Sequence, residues 1–100
     1  MPEESSKQTN QRLRAIVHGR VQGVNFRAYT ARQAVELGLT GWIRNLPDGT
    51  VETVVEGPAK QLDKFKAYLH IGPPYATVTD VVTTRETATN QFKDFRVRFI

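Results

Sequence analysis

The stretch LRAIVHGRVQGVNFR, residues 13–27, changes its hydrophobic pattern halfway along. Leu13, Ala15 and Val17 fall on one side of a two-residue alternation, which predicts a strand with one covered face. Gly19 and Gly23 then interrupt the alternation and allow the backbone to turn tightly. The stretch therefore predicts a strand that ends in a glycine-bounded loop.

A helix is predicted directly after this loop. Phe26, Thr30, Ala34 and Leu37 share one helical face, and Gly38 is suited to end the helix. The first third of the chain is thus predicted to be a strand, a loop and a helix.

The middle of the chain predicts a hairpin and a second helix. Residues 40–46 and 50–56 flank Pro-Asp-Gly at 47–49, whose residue types favour a turn between two strands. After Pro58, a second helix is predicted to end at Gly72. Its apolar face would consist of Leu62, Phe65 and Leu69.

The last part of the chain predicts further β structure. Residues 78–84 are rich in β-branched side chains, although their alternation does not define a register. Residues 95–99 show the clearest period of two, with Arg96 and Arg98 expected on a solvated face. The order βαββαβ, with a short additional strand, fits an α+β protein with a ferredoxin-like α/β sandwich, in which two helices cover one face of a mostly antiparallel sheet.

Length and composition limit the possible classes of protein. One hundred residues suit a single core, so we expect one domain at residues 12–100 behind a flexible polar tail at 1–11. The chain has no cysteine, which excludes disulfides, thiol nucleophiles and Cys-ligated metals, and its two histidines suggest no metal site. It contains no signal-peptide pattern and no run of membrane-spanning length, so a cytoplasmic protein is expected.

The charge pattern indicates an anionic partner. The net charge is +4, and five arginines with no acidic residue occur between Arg12 and Arg32. A loop that enters a helix offers free backbone N–H groups and the positive end of the helix dipole, and Arg27 could add a two-pronged contact to phosphate oxygens. From spacing alone, however, an ordinary turn followed by a solvated arginine is the simpler interpretation.

Three motifs together resemble those of the acylphosphatase family. They are GRVQGVNFR at 19–27, LGLTGWIRN at 37–45 and DGTV at 48–51, and the resemblance extends from about residue 12 to the C terminus. It implies a ferredoxin-like fold and hydrolysis of the carboxyl–phosphate bond of small acyl phosphates to a carboxylate and inorganic phosphate, without a metal or cofactor.

The resemblance also implies roles for individual residues. By position, Arg27 would bind the phosphate and Asn45 would orient the attacking water, although an asparagine at a strand end can instead cap the next turn. The phosphate-binding loop would be formed by the backbone of Arg20, Val21, Gln22, Gly23, Val24 and Asn25.

Several nearby residues are expected to be structural. The side-chain amide of Gln22 would brace the loop, and His18 would be a partly exposed strand residue. Phe26 and Trp42 would pack under helix and sheet.

The implied chemistry needs few groups. The carboxylate leaving group has a conjugate acid of pKa about 4 and scarcely needs protonation. Phosphoryl transfer then requires mainly positioning and stabilisation of charge on the phosphate oxygens. One arginine, a set of backbone N–H groups and one amide can supply both.

Two alternatives remain open at this stage. A ferredoxin-like sheet can present aromatic rings to nucleic-acid bases, but the chain lacks the RNP1 pattern and its phenylalanines are expected in the core. The other alternative is a non-catalytic or specialised domain of the same family, such as those fused to larger carbamoyl-transfer proteins. We therefore expect a small-molecule acyl phosphate as partner, no nucleic acid, no membrane and a monomer.

Overall fold

Within the described part of the chain, five strands form one sheet, and two helices cover one of its faces. The computed structural model describes residues 9–99. The elements are β1 (Asn10–Arg20), α1 (Phe26–Glu36), β2 (Thr40–Asn45), β3 (Val51–Pro58), α2 (Ala59–Ile71), β4 (Thr77–Thr87) and β5 (Phe95–Arg98). The strand order is β4-β1-β3-β2-β5, and every neighbouring pair is antiparallel except β2 and β5. The predicted ferredoxin-like fold is confirmed.

β1 begins earlier than the sequence pattern predicts. Asn10 and Gln11 were placed in the tail, but they lie in β1 opposite Pro58 and Gly57 of β3. Pairing in the sheet gives backbone groups of these polar residues hydrogen-bonding partners, which an alternation of apolar side chains cannot reveal. Residues 1–8 of the predicted tail lie outside the described residues.

The core lies between the two helices and the sheet. The predicted inward positions of β1 and the predicted apolar faces of both helices are at most 1% exposed, except for Leu37, which follows α1 and is only partly buried. These residues are Leu13, Ala15, Val17, Phe26, Thr30, Ala34, Leu62, Phe65 and Leu69. Both helices end just before the glycines that the sequence indicated, and neither is long and apolar enough to cross a membrane.

Trp42 lies on the other face of the sheet. It was expected to pack under the helices, but consecutive residues of a strand point to opposite faces, and the neighbouring Ile43 takes the position in the core. The guanidinium carbons of Arg44 and Arg98 lie 5.2 Å and 4.6 Å from the centroid of the indole ring. Trp42 is therefore buried, at 9% exposure, by arginine side chains.

Glu56 fastens the connection between β4 and β5 to the sheet. Its buried carboxylate accepts hydrogen bonds of 2.8 Å from Arg12 Nε and from the backbone N–H groups of Thr89 and Asn90. Burial alone would raise the pKa of Glu56, but the hydrogen bonds from Thr89, Arg12 and Asn90 outweigh burial and lower this pKa from its ordinary value of 4.5.

We expect Glu56→Gln to destabilise the fold at pH 7 by about 1–3 kcal/mol, because Arg12 loses its charged partner. The folded-state pKa of Glu56 is lowered, so the carboxylate stabilises the fold above about pH 4.5 and loses this contribution as the pH falls through the folded value. Urea denaturation at pH 7 and at successively lower pH measures the free energy of unfolding. The difference between wild type and Glu56→Gln should become smaller as the pH falls.

The matched control is Asp63→Asn. Asp63 pairs with Arg85 but its side chain is 70% exposed, so we expect a change below about 1 kcal/mol. If the free energies of unfolding of wild type and Glu56→Gln differed by the same amount at every pH, the role given to the Glu56 charge would be contradicted.

Candidate active site

A cavity of about 410 Å³ lies where the β1–α1 loop meets the ends of β2 and β5. Arg27 of α1 and Asn45 of β2, which are 18 positions apart in the sequence, both line it. Gly23 and Asn25 of the loop and Phe99 after β5 form other parts of its wall. The fold thus brings the two predicted catalytic side chains and part of the predicted phosphate loop to one place.

Two glycines allow the path of the loop. Gly19 has φ of 122°, and a Cβ there would lie 2.0 Å from the Thr77 carbonyl oxygen, at the point where the register of β1 and β4 shifts. Gly23 has φ of 75°, a dihedral that favours glycine, and faces open space. Glycine is required at position 19 because the backbone there lies too close to β4 for a Cβ. Glycine is favoured at position 23 because the turn towards α1 has a positive φ.

The other loop residues hold it in place. The Nε2 of Gln22 donates hydrogen bonds of 2.8 Å to the carbonyl oxygens of Leu46 and Thr50, which confirms the bracing role predicted for this amide. Val21 is buried and Val24 packs against the core. The loop is therefore fixed relative to the hairpin that carries Asn45.

Arg20 and His18 belong to β1. Arg20 is the last residue of the strand, pairs with Thr77 and is exposed, so this member of the predicted loop lies within the sheet. His18 is partly exposed opposite Asp80, as expected for a strand histidine.

The start of α1 carries no capping side chain. Asn25 has left-handed dihedrals, φ 62° and ψ 26°, makes no side-chain cap hydrogen bond, and no acidic residue occupies the first turn. First-turn N–H groups have no partner within a helix, and they add to the positive end of its dipole. Because Asn25 to Ala28 line the cavity, these groups make its wall suitable for an anion.

Arg27 is anchored by the C-terminal segment. Its Nη1 donates a hydrogen bond of 3.0 Å to the Arg98 carbonyl oxygen, and its Cζ lies 4.6 Å from the centroid of the Phe99 ring. A guanidinium has five N–H donors in a planar fork, so an arginine held through one of them can still bind an anion through others.

Asn45 has a buried side-chain oxygen without a partner in the part of the chain that the structure describes. Its Oδ1 makes no hydrogen bond with any residue in the range 9–99. Leaving a buried acceptor unsatisfied costs about 1–3 kcal/mol, which is unusual in a native protein unless a ligand or water uses the group.

Asp48, and not Asn45, caps the hairpin turn. The Asp48 carboxylate accepts hydrogen bonds from the Thr50 backbone N–H at 3.0 Å and the Thr50 hydroxyl at 2.6 Å. Hydrogen bonds from the Thr50 side chain and backbone hold the pKa of Asp48 below its ordinary value. The alternative role considered for Asn45 is therefore filled by another residue.

Val97 and Phe99 also line the cavity, although neither is predicted there from the sequence. All phenylalanines were expected in the core, but Phe99 is 78% exposed because β5 ends at Arg98. The alternation along residues 95–99 was the available signal, since it places Phe99 on the same side of the chain as Val97.

The helix-free face of the sheet offers little aromatic surface for base stacking. Arg44 and Arg98 cover Trp42, and the Cζ of Arg12 lies 5.3 Å from the centroid of the Phe92 ring. Stacking of nucleic-acid bases needs accessible ring faces, so this surface does not support the nucleic-acid alternative.

Comparisons with known proteins agree with the motifs. The family profile described as Acylphosphatase matches residues 13–97. An acylphosphatase of Methylococcus capsulatus is 51% identical over 86 residues, covering 86% of this chain and 94% of that protein.

Solved structures give the same result. The crystal structure of acylphosphatase from Bacillus subtilis superposes with a TM-score of 0.86 at 36% identity, covering 89% of this chain and 99% of that one. The structure of an acylphosphatase from Coxiella burnetii gives a TM-score of 0.85 at 38% identity, covering 92% and 96%. In each comparison the match spans nearly the whole length of the relative.

Proposed function

The chain belongs to the acylphosphatase family, and on that premise we propose that Arg27 and Asn45 are the catalytic residues with which it hydrolyses acyl phosphates. The reaction splits a small-molecule acyl phosphate, and the enzyme is a hydrolase. One observation carries the residue assignment. Arg27, the uncapped start of α1 and Asn45 line a single cavity, and the buried Oδ1 of Asn45 has no hydrogen-bond partner among residues 9–99.

The phosphate would occupy the part of the cavity lined by the loop. Arg27 donates to two phosphate oxygens, and backbone N–H groups of loop residues 21–25 and of the first turn of α1 donate to the others. These donors are fixed before substrate binds because Gln22 braces the loop and Arg98 anchors Arg27. Fixed donors stabilise the charge that develops on the phosphate oxygens without reorganising during the reaction.

Asn45 would position the nucleophile. Its Oδ1 accepts a hydrogen bond from a water molecule and leaves an oxygen lone pair of that water directed at phosphorus. The new bond joins the water oxygen to phosphorus, and the bond between phosphorus and the carboxyl oxygen breaks. The water proton passes to a phosphate oxygen, and the carboxylate leaves with its electron pair, so no general acid is needed.

Hydrolysis of benzoyl phosphate in the presence of EDTA tests this scheme. We expect the purified protein to release phosphate at the same rate with and without the chelator, because every step is assigned to protein groups, water and substrate. Activity that EDTA removes and a divalent cation restores would contradict the scheme.

We also propose that the enzyme works as a cytoplasmic monomer without nucleic acid. Arg27 and Asn45 line one cavity within a single fold, so the proposed chemistry does not require a second copy of the chain. Light scattering coupled to gel filtration tests the oligomeric state, and fractionation of the source cells tests the location.

A further inference from the structure

Phe99 is an apolar ring left in solvent beside the proposed phosphate site. It is 78% exposed, although a phenylalanine in a folded protein usually contributes its area to a core. Its position is nonetheless defined, because the ring lies over the guanidinium of Arg27 at 4.6 Å from Cζ to centroid.

A second recess adjoins the phosphate cavity at this ring. It has a volume of about 490 Å³ and is lined by Leu46 and Pro47 of the hairpin turn, together with Arg44, Asn45 and Phe99. Asn45 and Phe99 also line the first cavity. The two spaces therefore adjoin at these two side chains.

The two spaces differ in chemical character. Arg27 and the uncapped start of α1 make the first suitable for a phosphate. Leu46, Pro47 and Phe99 give the second an apolar wall. An acyl phosphate has the same two parts, an anionic phosphate and an acyl group, joined at the bond that breaks.

We infer that Phe99 and the Leu46–Pro47 recess form an acyl-group subsite that favours aromatic acyl phosphates over short aliphatic ones. An aromatic acyl group can stack on or pack edge-to-face against the open face of the Phe99 ring and remove apolar surface from water at Leu46 and Pro47. An acetyl group is too small to make both contacts. This inference rests on the proposed function, since it assumes that the phosphate binds at Arg27.

The test compares kcat/KM for benzoyl phosphate with kcat/KM for acetyl phosphate. We expect Phe99→Ala to lower the benzoyl-to-acetyl ratio about tenfold, and Phe99→Tyr, which keeps the ring, to stay within about twofold of wild type. Leu46→Ala, on the other side of the recess, should lower the ratio in the same direction.

Val82→Ala is the matched control. Val82 is an exposed apolar residue, at 51%, on the opposite edge strand β4, so its loss should leave the ratio unchanged. A Phe99→Ala ratio equal to that of wild type would overturn the inference. An equal loss with both substrates, accompanied by weaker inhibition by inorganic phosphate, would also overturn it, because Phe99 would then act only by positioning Arg27.

The same assays separate this inference from the proposed function. Folded wild-type protein that is inert towards both substrates would overturn the proposed function and the subsite together. Wild-type protein that hydrolyses both substrates, with no change of ratio in Phe99→Ala, would overturn the subsite alone.

Discussion

Replacing Arg27 by alanine is expected to lower kcat/KM for benzoyl phosphate by about a thousandfold or more, since a two-pronged charged contact to the phosphate is lost. Binding should suffer directly, so competitive inhibition by inorganic phosphate should weaken as well. The fold should remain intact, because the one hydrogen bond described for this side chain, to the Arg98 carbonyl oxygen, is exposed. Steady-state kinetics, phosphate inhibition and thermal denaturation measure the three effects.

Two further variants sharpen the Arg27 prediction. Arg27→Lys keeps the charge but loses the planar fork, and we expect it to recover only a small part of the activity. Arg32→Ala is the matched control, because Arg32 lies on the same helix but packs over Tyr29, with 5.7 Å from Cζ to ring centroid, and does not line the cavity. Near wild-type turnover by Arg27→Ala, or an equal loss in Arg32→Ala, would remove Arg27 from the mechanism.

The fold could be predicted from sequence wherever a side-chain pattern is local. Leu13, Ala15 and Val17 repeat every two residues and face the core, and Leu62 and Phe65 repeat at helical spacing and do the same. Burial of apolar surface dominates the energetics of such elements, so the pattern and the structure agree.

The parts that could not be predicted depend on contacts between distant residues. Trp42 and Ile43 are neighbours and both are buried, so the sequence does not show which of them faces the helices. The hydrogen bond between Glu56 and the Thr89 backbone N–H joins residues 33 positions apart, so no local sequence pattern predicts it.

The candidate site also has residues that a local motif predicts and residues whose position depends on contacts between distant parts of the chain. Arg27 and Gln22 occur in one contiguous motif, and the structure places Arg27 at the cavity and the amide of Gln22 against the hairpin. The alternation along residues 95–99 places Phe99 on the side of Val97, but its exposure could not be predicted, because it depends on where the pairing of β5 with β2 ends. The buried state of Asn45 Oδ1 follows from tertiary packing and is likewise absent from the sequence.

Replacing Asn45 by alanine should affect the chemical step with little effect on substrate binding. We expect kcat to fall by about a hundredfold to a thousandfold with KM within about threefold of wild type, because the phosphate still binds at Arg27 while the water loses its acceptor. Stability should stay within about 1 kcal/mol of wild type or increase, since the substitution removes a buried acceptor that has no partner among residues 9–99. Steady-state kinetics and urea denaturation measure these effects.

Asp48→Ala separates this catalytic role from a role in the turn. Asp48 caps the same hairpin through Thr50, so its loss should lower stability slightly while kcat changes little. If Asn45 served only the hairpin, Asn45→Ala would behave like Asp48→Ala, with reduced stability and retained turnover. A large loss of kcat without a loss of stability therefore requires that Asn45 acts on a molecule bound in the cavity, and water is the molecule that its buried oxygen suits.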